Sequence, residues 1–207
     1  MTWAERSAIG LLTLMAGLSA GARADRLGHD PSAPLITEPT PQDFTVCSNH
    51  GCDRVSRVRL GPAEWTKVRE VYEPPAASAA AERAAITRAI ASLETLVGQL
   101  ANTANDRGGN AFGSGLPGFQ LDCVDESVNT TTYLEILAHE GLLRWHKVEE
   151  RANRGWLQGS WPHWTAVMRE EATGVEWAVD SWYFDNGEPP AIVTLDAWYH
   201  GWRPAGR

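Results

Sequence analysis

From Ala76 to about Asn105 the chain is rich in Ala, Glu and Arg, and within it Ala85, Ile86, Ala89, Ile90, Leu93, Leu96, Val97 and Leu100 recur at steps of three and four. That period lays the apolar side chains along one stripe of a long helix. No heptad is sustained, so the stripe needs no coiled-coil partner and must be buried by the rest of the same chain. The remainder of the chain is of another kind. Residues 107–120 form a connection carrying Gly108, Gly109, Gly113, Gly115 and Gly118, and the segments beyond it read as strands separated by turns. Helices first and strands afterwards predict an α+β domain. The connection lacks the Gly-Lys-Ser/Thr ending of a phosphate loop and the strand that precedes a dinucleotide fingerprint, so neither nucleotide cradle is expected and no cofactor is implied.

With 207 residues, 43% of them hydrophobic and 21% charged, there is room for one core. Not all of the chain belongs to it. Residues 1–24 combine Arg6, an apolar stretch from Ala8 to about Ala20 and Ala22-Arg23-Ala24, the pattern of a secretory signal peptide with a small-residue cleavage site. The apolar stretch falls short of the ~20 residues that a membrane span requires, and no later run is longer. The processed chain is therefore expected to be periplasmic or secreted, with no membrane span. Residues 25–42 contain Pro31, Pro34, Pro39 and Pro41 and read as an extended arm; residues 43–207 are expected to form a single domain. A formal charge of −8 with no Lys/Arg-rich run excludes a nucleic-acid partner.

Export sets how the cysteines are read. Cys47 and Cys52 flank the turn-like Ser48-Asn49-His50-Gly51 and, in an oxidising compartment, read as a disulfide. A metal held by Cys47, His50 and Cys52 is the competing reading, but a fourth ligand at a recognised spacing is missing and no metal is expected. Cys123 stands alone. Asp122 is a good N-cap, and Asp125 three residues on completes a capping box, which places Cys123 at the first position of a helix ending near Gly141. There the positive end of the helix dipole lowers a thiol pKa from about 8.5 and favours thiolate. Asp122, Asp125 and Glu126 oppose this unless they cap backbone amides or point away. A cationic partner is expected.

Residues 161–169 read as a strand, Glu171 to Gly174 as a turn and Val175 to Trp182 as the returning strand. An even-membered loop gives a register that opposes Thr165 to Asp180 and His163 to Trp182. Because side chains alternate, His163 and Asp180 then share a face within reach of one hydrogen bond.

Cys123, His163 and Asp180, in that order, are the parts of a thiol catalyst. The imidazole takes the thiol proton to form a thiolate–imidazolium pair, and the carboxylate fixes the tautomer and orientation of the ring. Gln120 is by its chemistry a candidate oxyanion donor, with the Cys123 N–H as a second. Gln120-Leu121-Asp122-Cys123-Val124-Asp125, Trp161-Pro162-His163 and Ala178-Val179-Asp180-Ser181 resemble the transglutaminase-like superfamily, most of all its bacterial cysteine proteinase branch. The resemblance covers roughly residues 120–187. It implies a papain-like or transglutaminase-like domain with N-terminal helices and a small antiparallel sheet, with Cys123 as nucleophile, His163 as general base and Asp180 as its orienter. The function it implies is a thiol hydrolase or acyltransferase, foremost a cysteine peptidase, acting on a protein or peptide substrate in the cell envelope. Transamidation and deamidation share its first half-reaction.

Eight of the ten tryptophans lie after residue 144. Trp161, Trp164 and Trp182 adjoin the candidate triad and can either wall a cleft or fill core. Each triad member also has a plainer reading: Cys123 as a small core residue, His163 as a core histidine, Asp180 as a carboxylate at a ladder end. These define a second class, a non-catalytic periplasmic binding protein with an idle triad and a Trp-lined cleft, and a third, an envelope structural protein with an inert Cys123. Asn129-Thr130-Thr131 matches a glycosylation acceptor but falls inside the predicted helix, so Asn129 is expected to pack. His139 and His146 are expected at the surface or at helix ends.

Overall fold

The structure, a computed structural model, describes residues 34–109, 119–155 and 162–206. The expected signal peptide at 1–24, the first part of the arm, Gly113, Gly115 and Gly118 of the glycine-rich connection, and Trp161 lie outside the described residues. Within them the chain is α+β, with four helices and two small antiparallel sheets.

The first sheet pairs β1 (Phe44–Ser48) with β2 (Arg54–Val58), Cys47 opposite Val55. Between them Asn49, His50, Gly51 and Cys52 all take positive φ, from 61° to 72°, and a disulfide joins Cys47 to Cys52. The joined sulfurs leave no thiolate pair for a metal, so the competing reading of this loop falls away.

Helix α1 (Pro62–Glu70) starts with proline at N1, and Gly61 N–H donates to the Glu64 carboxylate at 2.6 Å. Helix α2 (Ala79–Ala101) is the predicted long helix, trimmed at both ends. Ser78 Oγ accepts from the Ala81 N–H, and Asn102 adopts the left-handed conformation that stops it. Of its expected stripe, Ala85, Ile86, Ala89, Ile90, Leu93 and Val97 are buried and Leu96 is half-buried, whereas Leu100, in the last turn, is exposed. Gly98 lets the next turn close on the helix, because a Cβ there would stand 2.8 Å from the Asn186 side chain and 3.0 Å from Ala104 Cα. Helix α3 (Cys123–His139) comes next, and Gly141 lies just past it at φ 71°.

The second sheet has the order β3-β4-β5-β6, formed by His146–Arg154, His163–Glu170, Glu176–Asp180 and Ala191–Thr194. The β4–β5 register, Ala166 opposite Val179 and Arg169 opposite Glu176, is the one the turn predicts. Strand β3 is absent from the sequence reading. Its residues HKVEERANR carry no alternation of period two, and its pairing shifts at a bulge between Glu149 and Ala152. As an edge strand it is protected by charge. His146, expected at the surface, is buried in it and lies 2.8 Å from Glu82.

One face of this sheet, through Ala166, Met168 and Val179, packs with α1, α2, α3 and the first sheet in the main core. The other, through Ala152, Val167 and Ala178, is covered by Leu195 and Trp198 of α4 (Leu195–Tyr199). The described part of the arm lies along β1 and the C-terminal end of α3. Ile36 N–H donates to Thr45 Oγ1, and His139 Nδ1 stands 3.1 Å from the Pro39 carbonyl. Cys123 is at the opposite end of α3, ~25 Å away at 1.5 Å per residue. Among the described residues no helix is long and apolar enough to cross a membrane.

Candidate active site

The start of α3 is built as its sequence predicts. Asp122 Oδ1 accepts from the N–H groups of Val124 at 2.9 Å and Asp125 at 3.0 Å, and Asp125 Oδ2 accepts from the Asp122 N–H at 3.2 Å. Cys123 is thereby the first helical residue, half-buried and free of any disulfide. The disulfide loop closes over the same carboxylates: His50 and Cys52 donate their N–H groups to Asp125, and Gly51 donates to Asp122. Asn129, one turn and a half further along α3, holds Cys47 by both its backbone N–H and its carbonyl. It packs as expected.

The thiol itself departs from expectation. Burial, the largest effect, pushes the Cys123 pKa up to about 11, and the charges of Asp122 and Asp180 add to it. The backbone N–H groups of Trp164 and of Cys123 itself work the other way without overcoming the loss of water. A local argument from the helix dipole cannot see that burial.

His163 and Asp180 meet. His163 Nε2 lies 2.7 Å from Asp180 Oδ2, with the residues only 4% and 1% exposed. The same oxygen accepts the indole N–H of Trp198 at 2.8 Å. The His163 ring is enclosed by Trp182, Tyr183 and Trp198, with centroids 4.7, 5.3 and 5.6 Å away. Arg154, opposite His163 in the β3–β4 ladder, donates to Tyr183 Oη at 2.9 Å and to the Trp198 carbonyl, and its guanidinium lies 4.4 Å from the Trp198 ring centroid. Among the described residues His163 Nδ1 and Asp180 Oδ1 have no hydrogen-bond partner. Cys123 touches the backbone of Trp164, the residue after His163, and makes no hydrogen bond to His163 Nδ1.

Gln120 serves the loop that leads to the site. Its side-chain N–H donates to the Asn105 carbonyl at 3.1 Å, and its side-chain oxygen accepts from the Arg107 N–H at 3.2 Å. Asp106 Oδ1 accepts from the Leu121 N–H at 2.7 Å. Of the tryptophans read as cleft wall or core, Trp182 lies against the His163 ring, and Trp164 edges a surface hollow of about 560 Å³ that also includes Thr131, Glu135, Val148 and Arg151. Arg151 donates to Ser127 Oγ at 3.0 Å, and its guanidinium lies 5.2 Å from the Trp164 ring centroid. Trp198 and Arg154 escape sequence reasoning, because nothing local ties a tryptophan eighteen residues beyond Asp180 to that carboxylate. No family model, curated protein or solved structure matches the chain.

Proposed function

We propose that the protein is an exported thiol hydrolase or acyltransferase of papain-like, transglutaminase-like fold, foremost a cysteine peptidase acting on protein or peptide in the cell envelope. The observation that carries this reading is the buried contact between His163 Nε2 and Asp180 Oδ2, with the Cys123 thiol against the backbone of Trp164, the next residue after His163. With Asp180 accepting the Nε2 proton, the neutral ring keeps its lone pair on Nδ1, the atom without a partner among the described residues.

Nδ1 takes the proton of the Cys123 thiol as sulfur attacks the substrate carbonyl. The oxyanion is received by the Cys123 N–H, which as a first-turn amide has no acceptor within its own helix, while the Gln120 side chain is engaged by Asn105 and Arg107. The imidazolium returns its proton to the leaving amine, and the C–N bond breaks to leave a thioester on Cys123. Water then attacks the thioester, giving its proton to Nδ1, and the acid departs as the thiol is restored. An amine in place of water gives transamidation. The raised thiol pKa makes His163 a base that acts during attack, in place of the thiolate–imidazolium pair expected at rest.

The same raised pKa favours a second reading, a periplasmic binding protein with an idle triad and a Trp-lined cleft. The pH profile of iodoacetamide alkylation of Cys123 decides between them. A thiol titrating at about 11 is thiolate in roughly one molecule in a thousand at pH 8. An active triad therefore alkylates at pH 8 about 100-fold faster in the wild type than in His163→Ala. Superimposable profiles, both rising only toward pH 11, reject catalysis and leave the binding reading.

A further inference from the structure

Every carboxylate oxygen of Asp122 and Asp125 is occupied by backbone N–H groups. Asp122 Oδ1 is held by α3 itself, through Val124 and Asp125. Asp122 Oδ2 accepts from Gly51 at 2.9 Å, Asp125 Oδ1 from Cys52 at 2.7 Å, and Asp125 Oδ2 from His50 at 2.8 Å and Asp122 at 3.2 Å. Three of these donors belong to the disulfide loop, and for Asp122 Oδ2 and Asp125 Oδ1 the loop supplies the hydrogen bond. The three N–H groups converge because residues 49–52 are consecutively left-handed, a conformation that residues other than glycine, even Asn and His, adopt singly and not as a run. The Cys47–Cys52 bond closes the loop in that shape, with both sulfurs and an Asp125 carboxylate oxygen within 4.8 Å of one another.

We propose that the disulfide loop is a positioning device for the Cys123 nucleophile, its amides fixing and solvating the carboxylates of Asp122 and Asp125 at the start of the helix that bears the thiol. The proposal rests on Cys123 acting as the nucleophile. Asp122 caps α3 at Cys123 while Asp125 and Glu126 lie in its first turn, and the charges of Asp122 and of Asp180 on β5 act on the thiol, which also meets the Trp164 backbone of β4. Only Asp122 and Asp125 are held by the loop. Burial pushes Asp125 up to about 6, with the N–H groups of Cys52 and His50 pulling it back, so it is anionic where a thiol reacts. Opening the loop strips those donors, leaves two under-solvated carboxylates beside the sulfur and disfavours thiolate.

The test reads Cys123 alkylation by iodoacetamide from pH 6 to 11, by mass spectrometry of its peptide. It uses the wild type, Cys47→Ala/Cys52→Ala, and that double variant with Asp122→Asn added. Asparagine caps a helix as well as aspartate does and carries no charge. The loop-opened variant is expected to react about tenfold more slowly at pH 8, with its profile displaced upward by about one pH unit, and Asp122→Asn to recover most of the loss. His163→Ala is expected to slow both backgrounds by the same factor. An unchanged profile in a loop-opened variant that keeps its circular dichroism and cooperative unfolding overturns the proposal while catalysis stands. A slowing that Asp122→Asn does not relieve also overturns it, since it shows structural damage and not charge. Where the double variant fails to fold, the comparison is made on wild type reduced by a phosphine in native buffer, and faster alkylation after reduction overturns it. A wild-type Cys123 indifferent to His163→Ala removes the catalytic reading, and this proposal with it.

Discussion

Trp198 donates its indole N–H to Asp180 Oδ2 across 2.8 Å, the oxygen that also faces His163 Nε2. The buried carboxylate is thus fixed from two sides, and its orientation depends on α4, which packs on the sheet face away from the long helices. Trp198→Phe keeps the ring and deletes the donor. It is expected to cost about 1.5–3 kcal/mol of stability, the loss of one buried hydrogen bond to a charged group, and to slow His163-dependent alkylation of Cys123 about tenfold. Wild-type reactivity in a folded Trp198→Phe protein shows that the indole only packs.

Glu82 anchors the start of α2 to the second sheet. It is fully buried, accepts the backbone N–H groups of Arg144 at 2.7 Å and Trp145 at 3.1 Å, and stands 2.8 Å from His146 Nδ1. Arg83 beside it binds Glu170 at 2.6 Å and stacks on Trp177 with its guanidinium 3.7 Å from the ring centroid. Glu82→Ala strands two part-buried amides and a buried imidazole, and is expected to lose about 3 kcal/mol in urea unfolding. Glu82→Gln keeps an acceptor and is expected to lose about half as much. A Glu82→Ala protein within about 1 kcal/mol of wild type shows that water replaces the carboxylate.

The parts of the site legible in the sequence are those set by near neighbours. Asp122 and Asp125 announce the start of α3, and the turn at Glu171 to Gly174 places His163 and Asp180 on one face. Unread parts depend on residues far apart in the chain. The amides of His50, Gly51 and Cys52 reach carboxylates more than seventy positions away, and Trp198 arrives on a helix whose docking no local pattern encodes. Strand β3 escapes a reading by period because edge strands select charge over alternation, and the bulge after Glu149 erases what period remains. The thiol's pKa is illegible for the related reason that burial is a property of the packed fold.

Beneath the site lies a group of buried carboxyls whose titration runs against stability at high pH. Burial pushes Glu94 up to about 8 and Asp106 up to about 7, and raises Glu126 well above the ordinary carboxyl range, with neighbouring acids adding to each. A carboxyl raised on folding holds its proton more tightly in the native state than in the unfolded chain. Its contribution is complete below the unfolded value of about 4.5 and is lost as pH rises through the folded value. The window is therefore about pH 4.5 to 8, and the melting temperature is expected to be higher at pH 5 than at pH 8. Glu94 Oε1 has no hydrogen-bond partner among the described residues, while Oε2 accepts the Gly187 N–H at 3.0 Å. Glu94→Gln keeps that acceptor and cannot ionise. It is expected to raise the melting temperature at pH 8 by about 4 °C, the effect of roughly 1–2 kcal/mol in a chain of this size, and to leave it nearly unchanged at pH 5. A wild-type melting temperature that climbs from pH 5 to pH 8, or a Glu94→Gln effect equal at both, shows that these carboxyls ionise in the folded protein without penalty.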